Sequence, residues 1–134
     1  MKIKIAVIVL AAASLLTGIT HAQQSTSSLL ALMKSIVIPQ SDIVFAVGNA
    51  APRNEKEWAA VQQAASRLTE AANTLSAQAP TTNGANWLKF SQAISEAAGR
   101  SGTAAKSKNV DAVLNAGDVL YKTCEDCHKQ YMKK

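Results

Sequence analysis

Apolar residues recur every three or four positions over four separate stretches, which is the period of an α-helix with one buried face. These stretches cover residues 27–48, 55–78, 86–106 and 110–131. The second is the most regular, with apolar residues in alternating steps of three and four at Trp58, Val61, Ala65, Leu68, Ala72 and Leu75. Because the links between the stretches are short, the pattern predicts an all-α fold, an antiparallel up-down-up-down four-helix bundle.

Local signals refine the predicted helices. Asn54 can cap the second helix, and Glu57 can reach back to the start of that helix as in a capping box. Pro39 lies inside the first helix and should kink it, because proline has no N–H and crowds the carbonyl four residues earlier. Gly99 and Gly102 each weaken a helix by about 1 kcal/mol relative to alanine, which predicts an irregular second half of the third helix.

The N-terminus has the layout of a secretory signal peptide. Lys2 and Lys4 form a short positive region, residues 5–16 form an uncharged apolar run, and Thr20-His21-Ala22 is a small-x-small ending. We therefore expect residues 1–22 to be cleaved and the mature chain to be exported to the periplasm.

A retained membrane anchor is the alternative reading of this segment. The apolar run from residue 5 to residue 19 is short of the roughly 20 residues that a spanning helix needs. Cleavage after Ala22 would leave residues 23–134 as one four-helix domain of 112 residues.

Composition excludes several classes of protein. The chain has 25 alanines against six aromatic residues, six glycines and three prolines, which is unlike collagen, disulfide scaffolds or all-β folds. Its net charge is +5, falling to +3 without Lys2 and Lys4, and the basic residues are dispersed except at the C-terminus. No basic stripe with interleaved aromatic residues is present in the sequence, so we do not expect nucleic acid as a partner.

Alanine at many inward positions predicts an under-filled core, since small side chains leave space unless helices approach closely. The run Cys124-Glu125-Asp126-Cys127-His128 supplies a candidate occupant, because C-x-x-C-H is the attachment signature of c-type haem. Two thiols three residues apart lie near one face of a helical turn and can bond to two vinyl groups of one haem. The following imidazole can then ligate the iron.

Three other interpretations of this motif remain open. A thioredoxin-type redox pair would sit at a helix N-terminus after a strand, whereas this motif lies near the end of a helical chain. A structural zinc site needs four ligands, and His128 is the only histidine of the predicted mature chain. A plain structural disulfide within a haem-free helical binding module is the third interpretation.

The C-terminal motif, its position and the helical, alanine-rich chain resemble the class II c-type cytochromes, the cytochrome c′ and cytochrome c-556 family. Tyr131 matches the aromatic residue that follows the family's motif, and Lys133 and Lys134 match its basic ending. The resemblance implies one covalent haem c held by Cys124 and Cys127 among four helices, with His128 as the proximal iron ligand.

The ligand on the other side of the iron decides the function. In an up-down-up-down bundle the start of the first helix lies at the same end as His128, so Met33 can face it across the haem. Met132 lies on the proximal side and cannot. The family's c-556 branch uses a methionine at a matching place, which makes Met33 the predicted distal ligand, whereas the c′ branch leaves the position open. Met33 as plain core filling is the alternative.

The sequence therefore predicts an exported monohaem cytochrome that carries single electrons and is not an enzyme. The alternative is a cytochrome c′-like, five-coordinate protein that binds nitric oxide or carbon monoxide. The expected partner is an unidentified periplasmic or membrane redox protein, for which Lys122, Lys129 and Lys133 are candidate docking residues. A further possibility for the chain is a homodimer formed through the apolar face of the first two predicted helices. We expect Tyr121 and Tyr131 to pack against the porphyrin edge, and Trp87 to pack at the end of the bundle.

Overall fold

The computed structural model describes the backbone of residues 20–132 and the side chains of residues 26–132. This part of the chain is helical and contains no strand. In chain order its elements are α1 (Thr20–Leu32), a π-helical turn (Met33–Val37), α2 (Ile38–Ala46), α3 (Glu55–Ala77), α4 (Gly84–Lys106) and α5 (Val110–Tyr131). We call the continuous run of α1, the π-helical turn and α2 the first helical segment.

The helices pack on one another around an alanine-rich core. α3 packs along α4, α4 packs along α5, and α2 contacts both α3 and α5. The largest fully buried apolar side chains are Leu68, Leu120, Val44 and Val113, and nine of the 20 buried apolar residues in the described part of the chain are alanines. The predicted all-α fold of four packed helices is thereby confirmed, with helix bounds close to those that the apolar period indicates.

Side-chain caps mark the starts of α3 and α5. The Asn54 side chain accepts a hydrogen bond from the Glu57 N–H at 3.0 Å, as predicted for the start of α3. The Glu57 carboxylate reaches one residue further back than a capping box requires, and accepts from the Arg53 N–H at 2.8 Å. At the start of α5, Asn109 accepts from the Ala112 N–H at 3.0 Å.

The first helical segment is disturbed next to Pro39, as predicted. The disturbance takes the form of a π-helical turn. The Ile38 N–H donates to the Met33 carbonyl, five residues earlier, instead of to the residue four earlier. In a regular α-helix the Pro39 ring would crowd the Ser35 carbonyl and leave it without its donor. A wider turn directly before Pro39 is a structural response to that conflict.

The expected irregularity in the second half of α4 is wrong, because α4 stays regular through Gly99 and Gly102 to its end. The reason is packing against α3. A Cβ atom at Gly102 would lie 3.3 Å from the Ala65 Cβ, so the two helices touch at this point. Ser101 beside it is fully buried and donates to the Ala97 carbonyl at 3.1 Å. Tertiary contacts of this kind override intrinsic helix propensity.

The N-terminal predictions fall largely outside the described residues, since residues 1–19 are not among them. α1 begins at Thr20, so the predicted cleavage site after Ala22 lies in its first turn. The described helical stretch Thr26–Ala46 is long and apolar enough to cross a membrane by length and composition, and it lies near the N-terminus. A signal sequence or the helix of a bundle has the same properties. Leu30 and Ile38 on this stretch are more than half exposed.

Candidate functional site

A small cavity lies where the end of α5 meets α4 and the π-helical turn. It is lined by Met33, Val37, Leu75, Trp87, Ser91, Ile94, Cys124, Cys127 and His128. The structure therefore brings together all four residues that the sequence analysis assigns to a haem site. Its volume is about 30 Å³, which is room for roughly two water molecules.

Three of these residues come from one face of α5. Cys127 and His128 lie three and four positions after Cys124, and residues with these spacings share a face of a helix with the earlier residue. Both cysteines are free and partly buried. His128 is exposed and also lines the cavity, so it lies at the cavity's mouth.

Burial keeps the two thiols protonated. It raises the pKa of Cys124, and it raises the pKa of Cys127 to about 11, with the nearby Cys124 adding to the second effect. A redox-active cysteine needs the opposite, a lowered pKa that yields a thiolate near neutral pH. The environment of these thiols therefore does not favour the thioredoxin-type interpretation.

The rest of the cavity wall comes from three other elements. Met33 and Val37 belong to the π-helical turn, and Leu75 belongs to α3. Trp87, Ser91 and Ile94 lie on one face of α4. The Trp87 ring is held in place, since its Nε1–H donates to the Leu75 carbonyl at 2.6 Å. The buried Ser91 hydroxyl donates to the Trp87 carbonyl at 3.0 Å, which leaves most of the wall apolar.

From the sequence we expected Trp87 to pack at the end of the bundle, and Ser91 was not identified as a residue of the site. Their spacing on α4, four positions apart and followed by Ile94 three positions later, could have signalled a common face. The spacing does not show that this face meets the cysteines of α5, because that depends on how the two helices are rotated against each other.

Tyr131 supports the last turn of α5 from outside the cavity. Its ring lies edge-on to Trp87 at a centroid distance of 5.0 Å and to Phe90 at 6.3 Å. Its hydroxyl donates to the Asn83 carbonyl at 2.6 Å, which ties the end of α5 to the loop between α3 and α4. Tyr121 is 61% exposed and packs edge-on against Phe45, and its predicted contact with a porphyrin edge stays a prediction.

The lysines nearest the site are paired locally. Lys122 contacts Asp126 at 3.0 Å, and Lys129 contacts Glu125 at 2.8 Å and Asp126 at 3.7 Å. The hydrogen bond from Lys122 holds the pKa of Asp126 below its usual value. These pairs reduce the positive surface that the sequence suggested for docking an acidic partner. Because these pairs are exposed to solvent, each contributes little to stability.

The donor set fits a c-type haem. Two protonated thiols and an imidazole lie on one helical face, and the Met33 thioether of the first helical segment lines the same cavity. The space is smaller than a porphyrin, so binding requires the walls to separate. The first helical segment is the wall best able to move, since it packs mainly on α3 and only lightly on α5.

The described residues contain no group of three or more His, Cys, Asp and Glu side chains that could hold a metal ion. Searches against protein-family models, curated proteins and solved structures find no match to this chain.

Proposed function

We propose that this chain is an exported monohaem c-type cytochrome that carries single electrons, of the class II type that its C-terminal motif resembles. One observation carries the proposal. Met33 lines the same cavity as Cys124, Cys127 and His128, although it belongs to the first helical segment and they belong to α5. The antiparallel up-down-up-down arrangement is part of the same proposal, and the short links between the helices support it.

Each residue of the cavity has a defined role in this proposal. Cys124 and Cys127 would hold the haem through thioether bonds, and His128 and Met33 would ligate its iron from opposite sides. The haem would supply a reversible one-electron iron couple. Val37, Trp87 and Ile94 would exclude water from the group, and burial together with the axial ligands would tune its reduction potential.

Optical spectroscopy of the exported protein, oxidised and reduced, tests the proposal directly. We expect a low-spin spectrum that carbon monoxide leaves unchanged, because both axial positions are filled. Met33→Ala should convert it to a high-spin spectrum that responds to carbon monoxide. Met132→Ala is the matched control, since Met132 is 66% exposed beyond the end of α5 and should leave the spectrum unchanged.

The other outcomes separate the rival functions. A high-spin spectrum of the wild type that responds to carbon monoxide would replace electron transfer with gas binding at an open iron. A low-spin spectrum that survives Met33→Ala would refute ligation by Met33. Absence of haem absorbance after expression with a working attachment system would refute both haem functions and leave a haem-free helical module.

The location and partners follow from the same proposal. An exported carrier without enzymatic activity exchanges electrons with a periplasmic or membrane redox protein, and a homodimer through the first helical segment is compatible with its exposed apolar residues. The intact mass of the purified protein checks export and loading together. We expect a chain that begins at Gln23 and carries the added mass of one haem.

A further inference from the structure

The C-terminal part of α5, which carries the C-x-x-C-H motif, has few contacts with the rest of the bundle. Leu120 is the last fully buried residue of α5. Among the partly buried residues that follow it, Cys124 and Tyr131 pack against the core. The other described residues of the final turn are exposed, namely His128, Lys129, Gln130 and Met132. Tyr131 is thus the one described residue of that turn that packs against the core.

Tyr131 contacts the start of α4 in two ways. Its ring lies edge-on to Trp87 and Phe90, which are three positions apart on α4. Its hydroxyl donates to the carbonyl of Asn83, the residue directly before α4, at 2.6 Å. The same carbonyl accepts the Trp87 N–H at 3.3 Å, so the hydroxyl is the closer of its two donors. Ring and hydroxyl therefore both bind the first turn of α4.

This first turn of α4 is a firm support. Trp87 is only 7% exposed, and its Nε1–H donates to the Leu75 carbonyl near the end of α3 at 2.6 Å. Trp87 also lines the cavity together with Cys127 and His128. The residue that Tyr131 packs against is therefore part of the wall that these two α5 residues share.

Without such contacts the end of α5 would fray, as helix ends do when only their own hydrogen bonds hold them. Cys127 and His128 lie four and three positions before Tyr131, so an opened final turn would move both away from the cavity. We propose that Tyr131 is a positioning residue whose ring and hydroxyl keep the turn that carries Cys127 and His128 folded against α4. The consequence for iron ligation by His128 rests on the proposed function, whereas the contact itself does not.

Hydrogen exchange of the C-terminal peptide tests the proposal in the full-length exported protein, with or without haem. We expect slow exchange in the wild type. Tyr131→Phe keeps the ring and loses the hydroxyl, so exchange should rise about fivefold, the factor that corresponds to the net free energy of one hydrogen bond. Tyr131→Ala also loses the ring contacts and should exchange faster still. Tyr121→Ala is the matched control, since Tyr121 packs on Phe45 and should leave this peptide unchanged.

A second comparison separates a local contact from general stability. Val113 is fully buried on α5, so Val113→Ala should lower the free energy of unfolding in urea without opening the final turn. Tyr131→Phe should do the reverse. In the haem-free chain, iodoacetamide should alkylate Cys127 severalfold faster in Tyr131→Ala than in the wild type. Cys124, which packs against the core, should change less.

A C-terminal peptide that exchanges freely in the wild type would overturn the inference, as would wild-type exchange in both Tyr131 variants. Faster exchange that merely follows the loss of overall stability, as in Val113→Ala, would reduce Tyr131 to ordinary packing. A chain that carries no haem but shows the expected exchange pattern would refute the proposed function and leave this inference standing. A low-spin haem protein whose C-terminal exchange ignores Tyr131 would do the opposite.

Discussion

The two glycines of α4 lie three residues apart and should respond in opposite ways to the same change. Gly99 is exposed, and a Cβ atom added there would meet nothing within 4 Å. At Gly102 the added Cβ would lie 3.3 Å from the Ala65 Cβ on α3. Comparing Gly99→Ala with Gly102→Ala therefore measures how closely α3 and α4 approach.

The expected change in the free energy of unfolding is the sum of two effects, one from helix propensity and one from crowding. Replacing glycine by alanine in a helix interior stabilises it by about 1 kcal/mol, because the unfolded chain loses less conformational freedom on folding. Gly99→Ala should show this full gain. At Gly102 the new contact is shorter than the roughly 3.5–4.0 Å at which carbon atoms attract best. Crowding in a packed core costs about 1–3 kcal/mol, so Gly102→Ala should be neutral or destabilising.

Urea unfolding gives the free energy of unfolding of each variant when it is followed by the helical circular dichroism signal at about 222 nm. Ala65→Gly removes the conflicting methyl group from α3 but itself costs about 1 kcal/mol as a glycine inside a helix. The control is therefore Gly102→Ala made in the Ala65→Gly background and compared with Ala65→Gly alone, where it should be stabilising. A Gly102→Ala protein stabilised as much as Gly99→Ala would show that α3 and α4 do not touch at Ala65, and the packing argument would fail.

Two further predictions concern the cavity wall and the start of α3. Trp87→Phe removes the Nε1 hydrogen bond, but the Leu75 carbonyl keeps a second donor in the Gln78 N–H at 3.0 Å. We expect a loss of about 1 kcal/mol in urea unfolding, and a loss of several times that would contradict this reasoning. Hydrogen bonds from Arg53 hold the pKa of Glu57 below its usual value. Glu57 therefore stabilises the fold above its unfolded pKa and loses this effect as the pH falls through its folded pKa. Glu57→Gln should destabilise at neutral pH but not in acid, and a deficit that persists in acid would refute the assignment.

The fold was largely predictable because its helices depend on local periodicity. The steps of three and four in α3 repeat without a break, and Asn54 marks its start, so both its type and its beginning follow from neighbouring residues. The regularity of α4 could not be predicted in the same way. Gly99 and Gly102 weaken a helix in isolation, and only the contact with Ala65 on another helix explains why α4 continues.

In the candidate site, too, the features that depend on local spacing could be predicted and those that depend on helix packing could not. Cys124, Cys127 and His128 share a face through spacing alone, so the motif on α5 is visible in the sequence. The nearness of Met33 follows from the predicted topology, and the cavity shared by these residues agrees with it. Ser91 could not be assigned, since its place in the wall depends on the rotation of α4 against α5.

The two halves of this site would control different properties of the protein. The α5 half would determine whether a haem can be held, because both thiols and the imidazole of His128 lie within five consecutive residues. Under the proposed function, the first helical segment would determine whether the second axial position is closed, because Met33 of this segment lines the cavity. A substitution at Met33 would then convert an electron carrier into a gas-binding protein without altering the attachment motif. For this reason the C-x-x-C-H signature would be common to both functions under this proposal, and ligation by Met33 would separate them.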